Sequence, residues 1–165
     1  MTKTPQQTFE ELTEGLPRFD DGRIDYTYAS KAPVLNTVVY CNGEILLVKR
    51  SNKVLVYQGM WNGVTGFIDE LLPIENIAKQ ELSEEITLDE SVIDAIKITS
   101  PYELEDPEVG RTWVVYPVLV VLTQKPVITL DWEHTDFAWI NPTNLKDYNF
   151  VKDYDKSVGI ALALL

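Results

Sequence analysis

One cysteine, Cys41, and one histidine, His134, are all the chain has of two residue types that commonly hold transition metals. A lone thiol closes no disulfide within the chain, and a zinc site built from several cysteines is excluded by count. Such a sequence suits a reducing interior. Long apolar runs are missing too: the longest, residues 114–122, contains Pro117 and falls far short of the ~20 residues a membrane helix needs. The first residues show no basic stretch followed by an apolar one, so nothing there reads as a secretory leader. The expectation is a cytoplasmic protein with no membrane contact. Basic residues are scarce as well, with 14 Lys and Arg against 26 Asp and Glu and a formal net charge of −12. Binding a polynucleotide depends on cations that displace counterions from phosphates, and this balance argues against such a partner. A small phosphorylated ligand would require a local positive charge, which a bound metal would supply.

What is present supports a packed core. The 165 residues are 45% hydrophobic and include four Trp and eight Tyr, enough for a single domain over 1–165 without covalent staples. Residues 8–16 read as a short amphipathic helix through Phe9, Leu12 and Leu16, within an N-terminal extension, 1–32. That extension either packs on the core or joins two copies into a homodimer. Asn42-Gly43 between residues 37–41 and 44–49 reads as a two-residue hairpin turn. Residues 54–57 and 61–68 look extended, with Gly59, Gly63 and Gly66 where backbone must bend or approach something closely. Further strands are expected over 96–104, 111–122 and 136–140. Asn141-Pro142 is expected to cap a short helix, and the C-terminal residues to end on another. Strands mixed with a few helices predict an α+β fold or an α/β/α sandwich, with a mixed sheet flanked by helices, rather than a doubly wound sheet.

The segment 73–86 is the clearest helix. At about 100° per residue, Ile74, Ile77, Ala78, Leu82 and Ile86 form one apolar stripe. Glu81 and Glu85 fall inside that stripe and Glu84 on its edge, where water is least available to stabilise charge. No Lys or Arg stands three or four positions from any of them, and Glu81 faces both Glu84 and Glu85 at repulsive spacing. Arginines from other segments, raised pKa values or a hard divalent cation would each account for clustered carboxylates. A solvated acidic patch is the plainer alternative.

Glu81-Leu82-Ser83-Glu84-Glu85, fifteen residues after Gly66, resembles the Nudix box, G-x5-E-x7-R-E-U-x-E-E-x-G-U with U aliphatic. Gly66 matches the leading glycine and Leu88 the closing aliphatic. Leu72 stands where the pattern has its first Glu, Gln80 where it has Arg, and Thr87 where it has the last Gly. In the family that Glu and Arg are understood to brace the motif, so losing both leaves no unpaired partner. A β-branched Thr87 fits poorly where glycine would take a left-handed turn, which puts the helix exit in doubt. Residues 61–69, the hairpin ending Val48-Lys49-Arg50 and residues 133–140 are also similar to family segments, so the resemblance covers 35–150.

The resemblance implies hydrolysis of a nucleoside diphosphate linked to another moiety, with Mg2+ or Mn2+ held by Glu81, Glu84 and Glu85. Glu81, or an acid from a later loop, would act as base, and Glu133 is preferred to Glu105 and Glu108. Tyr57 and Trp61 are candidates for stacking on a base, Arg111 with Lys49, Arg50 and Lys53 for phosphate contact. His134 is expected at the surface and Cys41 in the core. The competing expectation, resting on the three departures from the box, is a nucleotide-binding or regulatory module that keeps the fold without turnover.

Overall fold

The computed structural model describes residues 2–165. Its spine is β1 (Lys31–Cys41), an apolar strand buried along most of its length. Asn42 and Gly43 both take positive φ, 49° and 84°, the conformation a two-residue turn of this twist requires. The chain therefore reverses into β2 (Glu44–Arg50), with Cys41 opposite Glu44. Next come β3 (Trp61–Asn62) and β4 (Val64–Phe67), then α2 (Ile74–Ile86), which follows the N-terminal α1 (Pro5–Thr13) in chain order. Three strands follow, β5 (Ile93–Ile98), β6 (Tyr102–Asp106) and β7 (Arg111–Leu122). The chain ends with β8 (His134–Ile140), a 3-10 turn over Pro142–Asp147 capped by the Asn141 side chain, and α3 (Tyr154–Leu162).

All eight strands form one mixed sheet whose path runs β3-β2-β1-β7-β5. Strands β1 and β7 are parallel, from Lys31 opposite Thr112 to Tyr40 opposite Val121, while the remaining pairs are antiparallel. Alternation along β1 divides the core between two faces. Leu35 and Val39 pack with Leu82 and Ile86 of α2, whereas Val38 and Leu119 pack with Tyr154 and Val158 of α3. The mixed sheet flanked by helices agrees with the fold expected from the sequence. The N-terminal helix α1 is closed by a capping box between Thr4 and Gln7, and it buries Phe9 in the α2-side core.

Three expected strands are divided or absent. Residues 54–57 form no strand: Tyr57 has φ 56° and Gly59 φ 72°, so the backbone turns where extension was expected. Residues 61–68 split at Gly63, where the chain leaves β2 to pair with β1. A Cβ at Gly63 would stand 2.5 Å from the Thr37 carbonyl oxygen and 2.7 Å from Asn36 Oδ1. Residues 96–104 split into β5 and β6, both paired with β7, on either side of a break at residues 99–101. Pro117 lies opposite that break and accepts from the Thr99 N–H at 3.3 Å. A residue's N and C=O point to the same side of a strand, so the donor Pro117 lacks would also have pointed at the break.

Candidate active site

Helix α2 packs on one face of the sheet beside β4, and Gly66 thins the strand beneath it. A Cβ at Gly66 would fall 2.4 Å from Glu81 Cδ, so only glycine lets the Glu81 side chain lie against this strand. One turn on, Glu85 is 2% exposed and its Oε2 has no hydrogen-bond partner. The two carboxyls lie within hydrogen-bonding reach of each other. Burial pushes both pKa values up, and neighbouring carboxylates push further: Glu84 and Glu133 on Glu81, Glu133 and Glu81 on Glu85. Glu84 is exposed and accepts from Gln80 Nε2 at 3.0 Å, so the residue replacing the motif's arginine holds one of the acids outward.

No arginine or lysine forms an ion pair with these acids among the described residues. The basic group within 4 Å of Glu85 is His134, Nε2 to Oε2 3.7 Å, and Arg50 acts on Glu85 from further off. His134 is 6% exposed, not at the surface as expected for a lone loop histidine. Pairing of β8 with Arg50 draws it inward, and its Nδ1 meets Asp131 Oδ1 at 3.1 Å. Burial lowers the His134 pKa, with Asp131 opposing. Glu133 is raised first by burial, then by Asp131, with Arg50 pulling the other way. Arg50 is itself lowered by burial and donates from Nε to the Val56 carbonyl at 3.0 Å.

A single cavity of about 360 Å³ gathers most of these groups. Glu81, Glu84, Glu85 and Glu133 line it with Arg50, and Tyr57, Phe67, Tyr102 and Trp113 give it an aromatic wall. Among the described residues, no three acidic, histidine or cysteine side chains are yet drawn together as an ion cage. Tyr57 lies where a ligand could meet it: its hydroxyl donates to Asp106 and accepts from Trp113 Nε1 at 3.1 Å. Trp61 and Arg111 do not line this cavity. Trp61 packs edge-on against Tyr148, 5.2 Å between centroids, in the α3-side core. Arg111 donates from Nη2 to the Tyr26 carbonyl at 2.7 Å and from Nε to Ala29 at 3.2 Å, tying the N-terminal segment down. Sequence reasoning had singled out neither Asn36 nor Asn62 as a lining residue. Their one signal was polarity inside otherwise apolar extended segments. Cys41 is buried and free, as expected.

The chain matches the NUDIX domain over residues 32–158, well over half its length, and so belongs to the Nudix family. That span reaches further in both directions than the expected 35–150. No curated protein is similar enough to count as a match. Among solved structures, a bifunctional NMN adenylyltransferase/ADP ribose pyrophosphatase from Francisella tularensis, complexed with AMP and a Mn ion, is 22% identical with a TM-score of 0.66, over 81% of this chain. This chain spans only 42% of that one. A C. elegans Ap4A hydrolase is 18% identical with a TM-score of 0.61, covering 81% of this chain and 99% of its own. The NUDIX domain of Shewanella oneidensis NrtR, complexed with ADP ribose, is 16% identical with a TM-score of 0.65, covering 82% and 90%. At these identities the likeness speaks for the fold. Among the described residues no helix is long and apolar enough to cross a membrane.

Proposed function

We propose that this chain is a metal-dependent hydrolase that cleaves the pyrophosphate bond of a nucleoside diphosphate linked to another moiety. The observation that carries the reading is the pair of Glu85, buried, and Glu81, partly buried, which lie side by side with no arginine or lysine in an ion pair with either among the described residues and with Glu85 Oε2 left without a partner. Buried carboxylates without a counter-charge are costly, and oxygen donors of this kind fit Mg2+ or Mn2+. Glu81 and Glu85 would hold such an ion, joined by Glu84 once its side chain turns from Gln80. Bound there, the ion supplies positive charge against the pyrophosphate oxygens and makes a water more acidic.

The chain's own groups do the rest. Glu133, whose burial raises its affinity for a proton, takes the proton from the attacking water at a carboxylate oxygen, with Glu81 as the other candidate base. Among the described residues the Arg50 side chain is engaged through Nε with Val56 alone, which leaves its Nη atoms to donate to phosphate oxygens. The aromatic wall of the cavity receives the nucleoside. The AMP and ADP ribose in the Francisella and Shewanella structures are the ligand class this reading extends to the present chain.

The test is release of nucleoside monophosphate from a panel of nucleoside diphosphate derivatives with Mg2+ or Mn2+. Glu85→Gln should cut that release at least ~100-fold while leaving the fold intact, because the change keeps shape and removes a ligand charge. Equal rates for variant and wild type would move the chemistry elsewhere. A binding module without turnover is the second reading, favoured by the Gln80 bond that holds Glu84 outward. Wild-type protein that binds AMP with Mg2+ yet releases nothing from any substrate would select it.

A further inference from the structure

We infer that Asn62 is a specificity-determining residue: its side-chain Nδ2 donates to an acceptor atom on a planar heteroaromatic ring seated against Phe67. The inference deepens the proposed function and rests on its placing of the nucleoside against the aromatic wall of the cavity. It begins with the orientation of two buried amides. Asn62 is 5% exposed and Asn36 7%, and both line the cavity. Gly63 N–H donates to Asn62 Oδ1 at 2.9 Å, and a backbone N–H can only donate. The same Oδ1 accepts from Asn36 Nδ2 at 3.1 Å. Rotating the Asn62 amide by half a turn would set two donors against each other, and rotating Asn36 would set two acceptors together. Neither amide is free to flip.

With Oδ1 doubly engaged, Asn62 Nδ2 is left without a partner among the described residues. It is not one of the fully enclosed unpartnered atoms, which include Asn36 Oδ1 but not Asn62 Nδ2. Asn62 lines the cavity, so the cavity is where that donor can find a partner. A buried amide held in one orientation, with its donor left over, is arranged to meet an acceptor, and a ligand lacking that acceptor leaves the donor unsatisfied.

The walls say what kind of ligand carries the acceptor. Phe67 is 38% exposed and offers the open aromatic surface, while Trp113, 8% exposed, packs against it at 6.0 Å between centroids. Both rings are held from behind. Tyr26 stacks on Phe67 at 5.2 Å, the Arg111 guanidinium lies 5.8 Å from the Phe67 centroid and 5.0 Å from that of Trp113, and the Trp113 N–H is fixed by the Tyr57 hydroxyl. Preset aromatic surfaces favour a flat π-system over a sugar or an aliphatic chain. A fixed donor beside them adds selection by ring atom, which stacking alone lacks.

The experiment compares ribose 5-phosphate, which has no base, with AMP, GMP, CMP and UMP in the presence of Mg2+, by equilibrium binding to the full chain. At least one nucleotide should bind wild type ~10-fold or more tightly than ribose 5-phosphate. Asn62→Asp keeps the oxygen that Gly63 and Asn36 need and removes the donor, so the ratio of nucleotide to ribose 5-phosphate affinity, both measured on the variant, should fall to about one. In wild-type protein, the Asn62 side-chain NH2 resonance should shift with the favoured nucleotide and stay in place with ribose 5-phosphate, a readout that needs no variant. The inference is overturned if no nucleotide outbinds ribose 5-phosphate, if the advantage survives in the variant, or if the NH2 resonance ignores a saturating nucleotide. These are binding measurements, so hydrolysis of the substrate panel with Asn62 indifferent would sink this inference alone, whereas base-selective binding without hydrolysis would sink the proposed activity alone.

Discussion

Single atoms decide much of this site. The absence of a Cβ at Gly66 lets Glu81 lie where it does, so Gly66→Ala should displace the Glu81 carboxylate. Because the clash is with the end of a flexible side chain, the stability cost should stay under about 2 kcal/mol while nucleotide hydrolysis falls by an order of magnitude or more. Thermal unfolding and a rate assay on the same preparation separate the two. Glu85 behaves in the opposite sense. Its burial and unpartnered oxygen mean that Glu85→Gln should raise the melting temperature of metal-free protein, and an unchanged or lower value would show that Glu85 is already satisfied. Tyr57→Phe removes the donor from buried Asp106 and the acceptor from Trp113 in one change. A loss of about 1–3 kcal/mol in denaturant unfolding is expected, with weaker nucleotide binding as the indole loses its fixed position.

Among the elements, α2 shows how a departure from a motif can be absorbed. Thr87 closes the helix in the left-handed region at φ 58°, ψ 37°, the conformation a glycine would have taken without strain. Its N–H still reaches the Ser83 carbonyl at 3.1 Å and the next N–H reaches Leu82 at 3.1 Å, while the Thr87 hydroxyl donates to the Thr129 carbonyl at 3.0 Å. The helix exit is thus kept, and the doubt raised by a β-branched residue becomes a local cost rather than a changed loop. Thr87→Asn, a residue that tolerates this region, should gain about 1 kcal/mol in chemical denaturation with no change in activity. A loss would mean that the hydroxyl bond outweighs the backbone strain.

For the whole molecule, the raised pKa values of Glu81, Glu85 and Glu133 set the pH dependence of stability. Between the ordinary glutamate range and these higher folded values the native state binds more protons than the unfolded chain, so stability falls as pH rises. His134, whose pKa is lowered, has the opposite effect, but only below its ordinary value of about 6.5. From there up to about 8, the value to which Glu81 is pushed, the carboxylates act alone, and the metal-free melting temperature should decline. Mg2+ or Mn2+ should flatten the decline and release protons on binding, which calorimetry in buffers of different ionisation enthalpy would detect. A pH-independent melting temperature from 6.5 to 8 would show that these acids ionise without cost.

Local chemistry settled the elements whose causes lie within a few residues. The Asn42-Gly43 turn, the strand at Arg111–Leu122, the cap at Asn141 and the apolar stripe of α2 with its misplaced acids were all legible, because φ preference, side-chain period and hydrogen-bonding side chains act over one or two turns. Contacts between distant segments decided the rest. Residues 54–57 read as strand, yet Tyr57 turns to reach Asp106 forty-nine positions away. His134 looked like a surface residue until pairing of β8 with β2 buried it, and Arg111 and Trp61 were drawn off to carbonyls and to the α3-side core. The Asn36 and Asn62 amides lie twenty-six positions apart, and only the sheet, in which the chain passes at Gly63 from pairing with β2 to pairing with β1, makes them partners. Composition and period determine which faces are buried. Which polar groups meet there is fixed by register and packing, and neither is written in any one segment.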